Sequence, residues 1–488
     1  MATTTLPIEA RAGLLAPALL PCLAGAGVYL VVMLVGNSLL DDSDSYWHIV
    51  VGQWILGHGF PHTDPFSFTF AGKPWIAKEW LSQLLYFGAY RIGGWPAVVT
   101  LAAAAVALAF ALLTRLLQER LSALPAIAMV AIAFILVTPH AVARPHVLAL
   151  PLMVAWVGGL VRAADRGKAP SLALLGLMVI WANLHAGFSL GIFLVGAVGL
   201  DAIVAAEASE RWRTGLVWLR FGLLALVAGC ITPYGPQSLL VTWQVLGLGP
   251  ALSIIGEWRP ADFSHLAGFE LALLFAGGFA LYRGVTLPPV RILILLGLLH
   301  MALSAERNGE VLGLLAPLFL AAPLARQFPQ PRPAEAPAQH RVPAALFAAI
   351  GVTLIAATAA LISVSHYQPN PRITPAAAVA ALQQVNVARV FNDYDLGGYL
   401  IFAGVPTFID GRTELYGDAF TARAYRAATL ADVNDFVALL DEYRIDATLL
   451  EPSTPAVALL DRLPGWKRLY ADDTAVVHVR LSLRTTLE

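Results

Sequence analysis

The sequence predicts a polytopic all-α membrane bundle of about eleven transmembrane helices, followed by a small α/β C-terminal domain outside the membrane. Three observations predict it. Hydrophobic residues make up 58% of the 488 and charged ones only 13%, against about 25% charged in a soluble domain. Apolar runs of spanning length recur from residue 14 to residue 364. Beyond that point the runs shorten and charge rises to soluble levels.

The apolar segments fall near 15–39, 95–115, 123–138, 146–162, 170–183, 187–206, 214–231, 268–283, 290–304, 309–326 and 343–364. The first run exceeds a signal-peptide core and reads as an uncleaved span. If the spans alternate, Arg11, Arg115, Arg120, Arg162, Arg166, Lys168, Arg211, Arg213, Arg283, Arg326, Arg332 and Arg341 share one side. The short loops of the other side hold little beyond Arg144, Arg259 and Arg307. The positive-inside rule makes the first group cytoplasmic, with the N-terminus. Loop 41–94 and residues 365–488 then lie outside.

Residues 1–325 thus form a bundle that includes loop 41–94. A proline-rich stretch, 326–342, reads as a cytoplasmic linker, and 343–364 as the last helix. Cys22 and Cys230 sit in apolar spans, so no disulfide framework is indicated. A net charge of −1 offers no handle on nucleic acid.

The external loops hold the chemistry. The first carries Asp41, Asp42, Asp44, His48, His62, Asp64, Lys73, Lys78 and Glu79. His140, Arg144, His146, Asn183 and His185 follow, then Glu257, Arg259, Asp262 and His265, then Glu306, Arg307 and Asn308. Singly, each is as readily a solvated loop residue as a functional one. Their recurrence on one face, at membrane depth, favours a shared external site.

Within the first loop, 45–56 has helical apolar spacing (Trp47, Val50, Val51, Trp54, Ile55) and stops at Gly57 and Gly59, so a helix lying on the membrane surface is expected. Asp44 stands at its N-cap position, with His48 one turn on. A turn at His62-Thr63-Asp64-Pro65 leads into alternating Phe66, Phe68 and Phe70, read as a strand. Residues 78–91 read as a second surface helix with Glu79 at its positive end. Capping alone would explain Asp44. Asp42, two residues before it, suits either a divalent cation shared by the pair or a base with a partner. His48 is open between metal ligand, carboxylate partner and packed histidine, and Glu79 leans structural. Arg144 with His146, and Glu306 with Arg307, form candidate anion sites; Arg307 is as readily salt-bridged to Glu306 or Glu310.

In the C-terminal domain Thr374-Pro375 opens a helix to about Val385. Strands are expected near 388–391, 398–402, 406–410, 446–450, 466–471 and 475–481, with helices at 432–443 and 455–463. Two loops, 392–399 and 410–418, mix carboxylates with tyrosines. That composition suits sugar recognition, and ordinary turns rather better.

The run Asp42-Ser43-Asp44-Ser45-Tyr46-Trp47-His48, continued by Gly52-Gln53-Trp54-Ile55-Leu56, Asp64-Pro65-Phe66-Ser67-Phe68-Thr69, Gly72-Lys73-Pro74-Trp75 and Glu79-Trp80-Leu81, resembles a group of bacterial membrane proteins related to the GT-C glycosyltransferases. So does Asp410-Gly411-Arg412-Thr413-Glu414-Leu415-Tyr416-Gly417. The resemblance covers roughly 30–95 well and 385–420 moderately. It implies a bacterial inner-membrane enzyme using a polyprenyl-phosphate-linked sugar, with a first-loop carboxylate as base: Asp44 first, Asp42 second. Arg144, Arg259 and Arg307, assisted by His146 or His185, would face the phosphate. His48, Asp64, Glu79, Asp410, Arg412 and Glu414 would serve the acceptor or support the site. A divalent metal at Asp42 and Asp44 is optional, and membrane lipids are further partners. The acceptor is open between glycan, lipid and protein. Two other readings compete: an O-antigen-type ligase or polymerase, and a transporter of lipid-linked saccharide, whose polar groups should lie mid-span in repeated halves.

Overall fold

The computed structural model describes residues 19–246, 249, 256–329, 343–385 and 387–481. Each of the eleven segments read as spans coincides with a helix. These are α1 (Leu19–Leu34), α3 (Trp80–Gln118), α4 (Ala123–Val137), α5 (Pro145–Asp165), α6 (Ala173–Leu184), α7 (Phe188–Ala205), α8 (Arg211–Gly229), α10 (Gly268–Arg283), α11 (Pro289–Ser304), α12 (Gly309–Gln327) and α13 (Ala344–Ser365). Six are long and apolar enough to cross a membrane, and α1, α6 and α11 are shorter apolar helices. The chain is a multi-pass membrane protein. The linker expected at 326–342 falls mostly outside the described residues.

A continuous core of Ala, Val, Leu, Phe and Trp side chains joins α1, α3, α5, α7 and α12. Near the C-terminal ends of α5 and α7, Arg291 is buried between Asp165 and Asp201, so three inward-facing charges cross-link α5, α7 and α11. Ionisable groups at this depth are tolerated because they pair.

The first loop departs from its reading. Helix α2 (Asp44–His58) does not lie on the surface: Tyr46, Trp47, His48, Ile49, Val51 and Ile55 are all buried. It packs on α3, where a Cβ at Gly52 would stand 2.2 Å from the Gln83 carbonyl oxygen. Its apolar face meets protein, which hydropathy cannot distinguish from lipid. The expected second surface helix and the span after it are one element, α3, kinked at Gly93 and at Gly94 (φ +61°). Phe66, Phe68 and Phe70 form no strand. Their rings wedge against Trp75, Phe408 and Tyr416, and a single bridge pairs Ser67 with Thr407.

The C-terminal domain has a four-stranded sheet ordered β1-β2-β4-β3 (Val390–Asn392, Ala447–Leu450, Val476–Arg480, Trp466–Ala471), with β1 and β2 parallel and the other pairs antiparallel. Around it lie α14 (Ala376–Gln384), α15 (Gly397–Phe402), α16 (Thr413–Ala428), α17 (Val433–Glu442) and α18 (Pro455–Leu460). The strand expected at 398–402 is helix α15, and 406–410 is irregular. Short apolar runs do not separate strand from helix by period alone. Most of the 410–418 loop belongs to α16, and α9 (Gln237–Leu246) lies in what reads as an external loop. One hydrophobic cluster contains Trp47, Val51, Ile55 and Trp75 of the first loop together with Phe391, Ile401, Phe408 and Phe436. The loop and the domain therefore share a core.

Candidate active site

A five-residue 3-10 turn, Gly36–Leu40, ends α1 and delivers Asp41 and Asp42 to the start of α2. Asp44 is not the cap. Ser43 holds that position, and the Asp42 Oδ1 accepts the Asp44 backbone N–H at 2.8 Å. Asp44 is thereby freed to point elsewhere. Its Oδ1 accepts the Trp47 indole N–H at 2.8 Å, and its Oδ2 pairs with Arg144 at 2.7 Å.

Arg144 precedes Pro145 at the start of α5 and gathers three carboxylates. Besides Asp44 it reaches Asp42 at 3.1 Å and Glu257 at 2.7 Å. Glu257 in turn holds Arg307 at 2.6 Å, and the Arg307 guanidinium lies 4.8 Å from the centre of the Trp258 ring. Arg307 is thus bridged to Glu257 rather than to Glu306 or Glu310.

Burial raises Asp44 to about 7, with the charges of Asp42 and Glu257 adding to it and Arg144 opposing. Burial also works to raise Glu257, but Arg144 and Arg307 on either side overcome it and hold it at about 2. The flanking carboxylates keep Arg144 firmly charged against the cost of its burial.

These groups line a cavity of about 1090 Å³. His48, Glu79, His146, His185 and Glu414 also face it, together with Lys78 and Glu310. His48 is buried, its ring tilted against Trp47 and hydrogen-bonded through Nδ1 to Gln83 at 3.3 Å. Burial holds it and His185 well below the usual histidine range, hence neutral. His185 faces Glu79, and His146 faces Glu310, each across 3.6 Å. The far wall comes from the C-terminal domain through Tyr394, Asp395, Gly411, Thr413 and Glu414. Lys78 ties that wall to the first loop by a 2.5 Å bond to Glu414.

Two glycines let the domain press directly on the acidic stretch. A Cβ at Gly411 would stand 1.9 Å from Asp44 Oδ1, and one at Gly398 would stand 2.1 Å from the Ser43 carbonyl oxygen.

Four residues of the expected set do not line the cavity, and three of them occupy a supporting position, one of the two roles expected of them. Arg259 is exposed and outside the cavity wall; its carbonyl accepts the Glu306 N–H at 3.0 Å. Asp64, Asp410 and Arg412 form a wholly buried buttress. Arg412 bonds Asp64 at 2.5 Å and Asp410 at 2.7 Å, with Phe66 and Trp75 rings on its guanidinium. Asp410 also accepts the Tyr416 hydroxyl at 2.6 Å.

The Asp42 and Asp44 carboxylates do not fit a metal in this arrangement. The Arg144 guanidinium occupies the position between them, and among the described residues no group of three or more His, Cys, Asp or Glu is set to hold an ion.

No protein-family model and no curated protein matches the sequence. Solved structures do match the fold. Oligosaccharyltransferase AglB from Archaeoglobus fulgidus, in complex with an inhibitory peptide and a dolichol-phosphate, is 11% identical with a TM-score of 0.56, over 88% of this chain and 69% of that one. The apo oligosaccharyltransferase of the same organism gives 13% and 0.55, over the same shares of the two chains. ArnT from Cupriavidus metallidurans, bound to undecaprenyl phosphate, gives 14% and 0.51 over 94% of this chain and 97% of that one. The chain has the GT-C fold of membrane glycosyltransferases.

In this GT-C bundle, the cavity residues that sequence reasoning did not assign to the site include Lys78, Tyr394, Asp395, Glu257 and Glu310. Glu257 was one loop carboxylate among many, and nothing local signals that two arginines from distant helices would share it. Glu310 could have been found. An ionisable residue in the first turn of an apolar helix must face the bundle interior or pair.

Proposed function

We propose that this chain is a glycosyltransferase that moves a sugar from a polyprenyl-phosphate-linked donor to an acceptor outside the cytoplasmic membrane, with Asp44 as general base. The observation that carries the reading is the Asp44 carboxylate on the wall of the large cavity, ion-paired to Arg144 and lifted to about 7 by burial. A base works best with a pKa near the operating pH.

In the proposed step Asp44 takes the proton of an acceptor hydroxyl. That oxygen bonds to the anomeric carbon while the bond from carbon to phosphate oxygen breaks, and the lipid phosphate departs with the electron pair. Arg307 and Arg144 stand ready to offset its charge. Each now holds Glu257, so an arriving phosphate competes with that carboxylate for them.

Two further observations support the donor. Phe193, Leu240 and Trp243 line the cavity and are 71%, 62% and 78% exposed, an apolar mouth suited to a polyprenyl chain. The AglB and ArnT structures are described with dolichol-phosphate and undecaprenyl phosphate. The asymmetry of Arg and Lys between the loops supports the extracytoplasmic face, the C-terminal domain included. The polar cluster gathers at one end of the bundle, unlike the mid-span site of a transporter.

The test is Asp44→Asn in proteoliposomes loaded with undecaprenyl-phosphate sugars and an envelope extract as acceptor. Transfer should fall by about 10²-fold or more with folding intact. Near-normal turnover removes Asp44 as the base.

A further inference from the structure

The cavity has a second polar wall that the displacement step does not use. Glu79 enters it just before α3, His146 from the first turn of α5, His185 from the end of α6 and Glu310 from the first turn of α12. The two imidazole rings stand 6.1 Å apart. Each faces one carboxylate across 3.6 Å, too far for a hydrogen bond.

We infer that Glu79, His146, His185 and Glu310 form the subsite for the transferred sugar, holding its hydroxyls, while the donor phosphate goes to the Arg144 and Arg307 side. This rests on the donor reading above and assigns a different role to His146 and His185 from the phosphate contacts implied by the sequence resemblance.

The hydrogen-bond pattern excludes a phosphate role for this wall. His146 Nε2 must carry its proton, because it donates to the His140 carbonyl at 3.0 Å; the donor is spent. His185 Nδ1 accepts the Gly187 N–H at 3.1 Å, so its proton is on Nε2, facing Glu79. Neither ring has a free N–H turned away from a carboxylate or carbonyl.

The same pattern fits hydroxyls. Glu310 is 7% exposed and its Oε2 has no hydrogen-bond partner among the described residues. A buried acceptor left unmade is costly, so such a group calls for a ligand donor. A hydroxyl donates once and accepts twice, so one can accept from His185 Nε2–H and donate to Glu79, and another can donate to Glu310 Oε2. Arg307 precedes Glu310 by three residues, so a phosphate held by one places its attached sugar beside the other.

The experiment measures equilibrium binding to the full chain in nanodiscs. The probes are undecaprenyl phosphate and a panel of undecaprenyl-phosphate hexoses and pentoses. At least one sugar-bearing lipid should bind about tenfold or more tighter than the bare carrier. Glu310→Leu should erase that advantage and leave bare-carrier affinity unchanged, which also reports a folded site. Glu79→Leu serves the same purpose if Glu310→Leu does not fold. Arg307→Met should weaken both lipids. The inference is overturned if Glu310→Leu weakens the bare carrier equally, or if the sugar advantage persists in it. Equal binding of every lipid by the wild type overturns it too, yet leaves the donor reading standing. Binding of no lipid at all removes the donor reading and this subsite with it.

Discussion

Gly411 lies against Asp44 so closely that a methyl group in place of its hydrogen would stand 1.9 Å from the carboxylate oxygen Oδ1. One residue belongs to the C-terminal domain and the other to the start of α2, 367 positions earlier (411 − 44). The domain therefore forms part of the wall around the acidic residue and fixes how far its carboxylate can turn.

Gly411→Ala should accordingly lower turnover by about a hundredfold, the scale expected when a reacting group is displaced by about 1 Å. Gly411 is not among the left-handed glycines, so alanine adds no backbone strain there. Gly404 is the control: its φ is +75° with open space around it, so Gly404→Ala costs about 1 kcal/mol in stability and leaves turnover per folded molecule unchanged. Turnover and thermal midpoint measured together separate the two.

The acidic limb of the pH–rate profile should follow the charges around Asp44. With the carboxylate at about 7, activity is lost as pH falls through that value, because the protonated form cannot accept a proton. Asp42 raises Asp44 and Arg144 lowers it. Asp42→Asn should therefore move the limb to lower pH, and Arg144→Met to higher pH, each by about one unit. The limb's position is informative even where the variant's maximum rate is low. Shifts in the same direction would remove Asp44 from the titration.

Arg412→Leu should destabilise the fold by about 3–5 kcal/mol, since it leaves Asp64 and Asp410 buried without their partner. Asp64→Asn and Asp410→Asn added to Arg412→Leu should recover part of the loss. Thermal unfolding in detergent measures both. An acceptor-binding role for Arg412 would instead raise the acceptor KM at unchanged stability.

Much of this chain was legible because membrane insertion leaves a strong local record. All eleven apolar segments are helices, and the strands at 388–391, 446–450, 466–471 and 475–481 are close to those observed. The first-loop motif singled out Asp42, Asp44 and His48, all of which line the cavity. Two of the errors share a cause. Helix α2 and the Phe66, Phe68 and Phe70 run are apolar segments packed in part against the C-terminal domain. Period and hydropathy report that such a segment is buried, and do not report against what.

By itself the sequence determined a multi-pass helical bundle, a mixed α/β domain after it, and the short acidic stretch on which the chemistry is proposed to turn. Only the tertiary structure decided which charges act together. It took Arg259 out of the site, made Asp64, Asp410 and Arg412 a buttress, and joined Arg144 to Asp42, Asp44 and Glu257. The physical reason is that an ion pair is a property of distance. Arg144 and Asp44 are 100 residues apart (144 − 44) and 2.7 Å apart in space, and no local pattern in the chain encodes the second number.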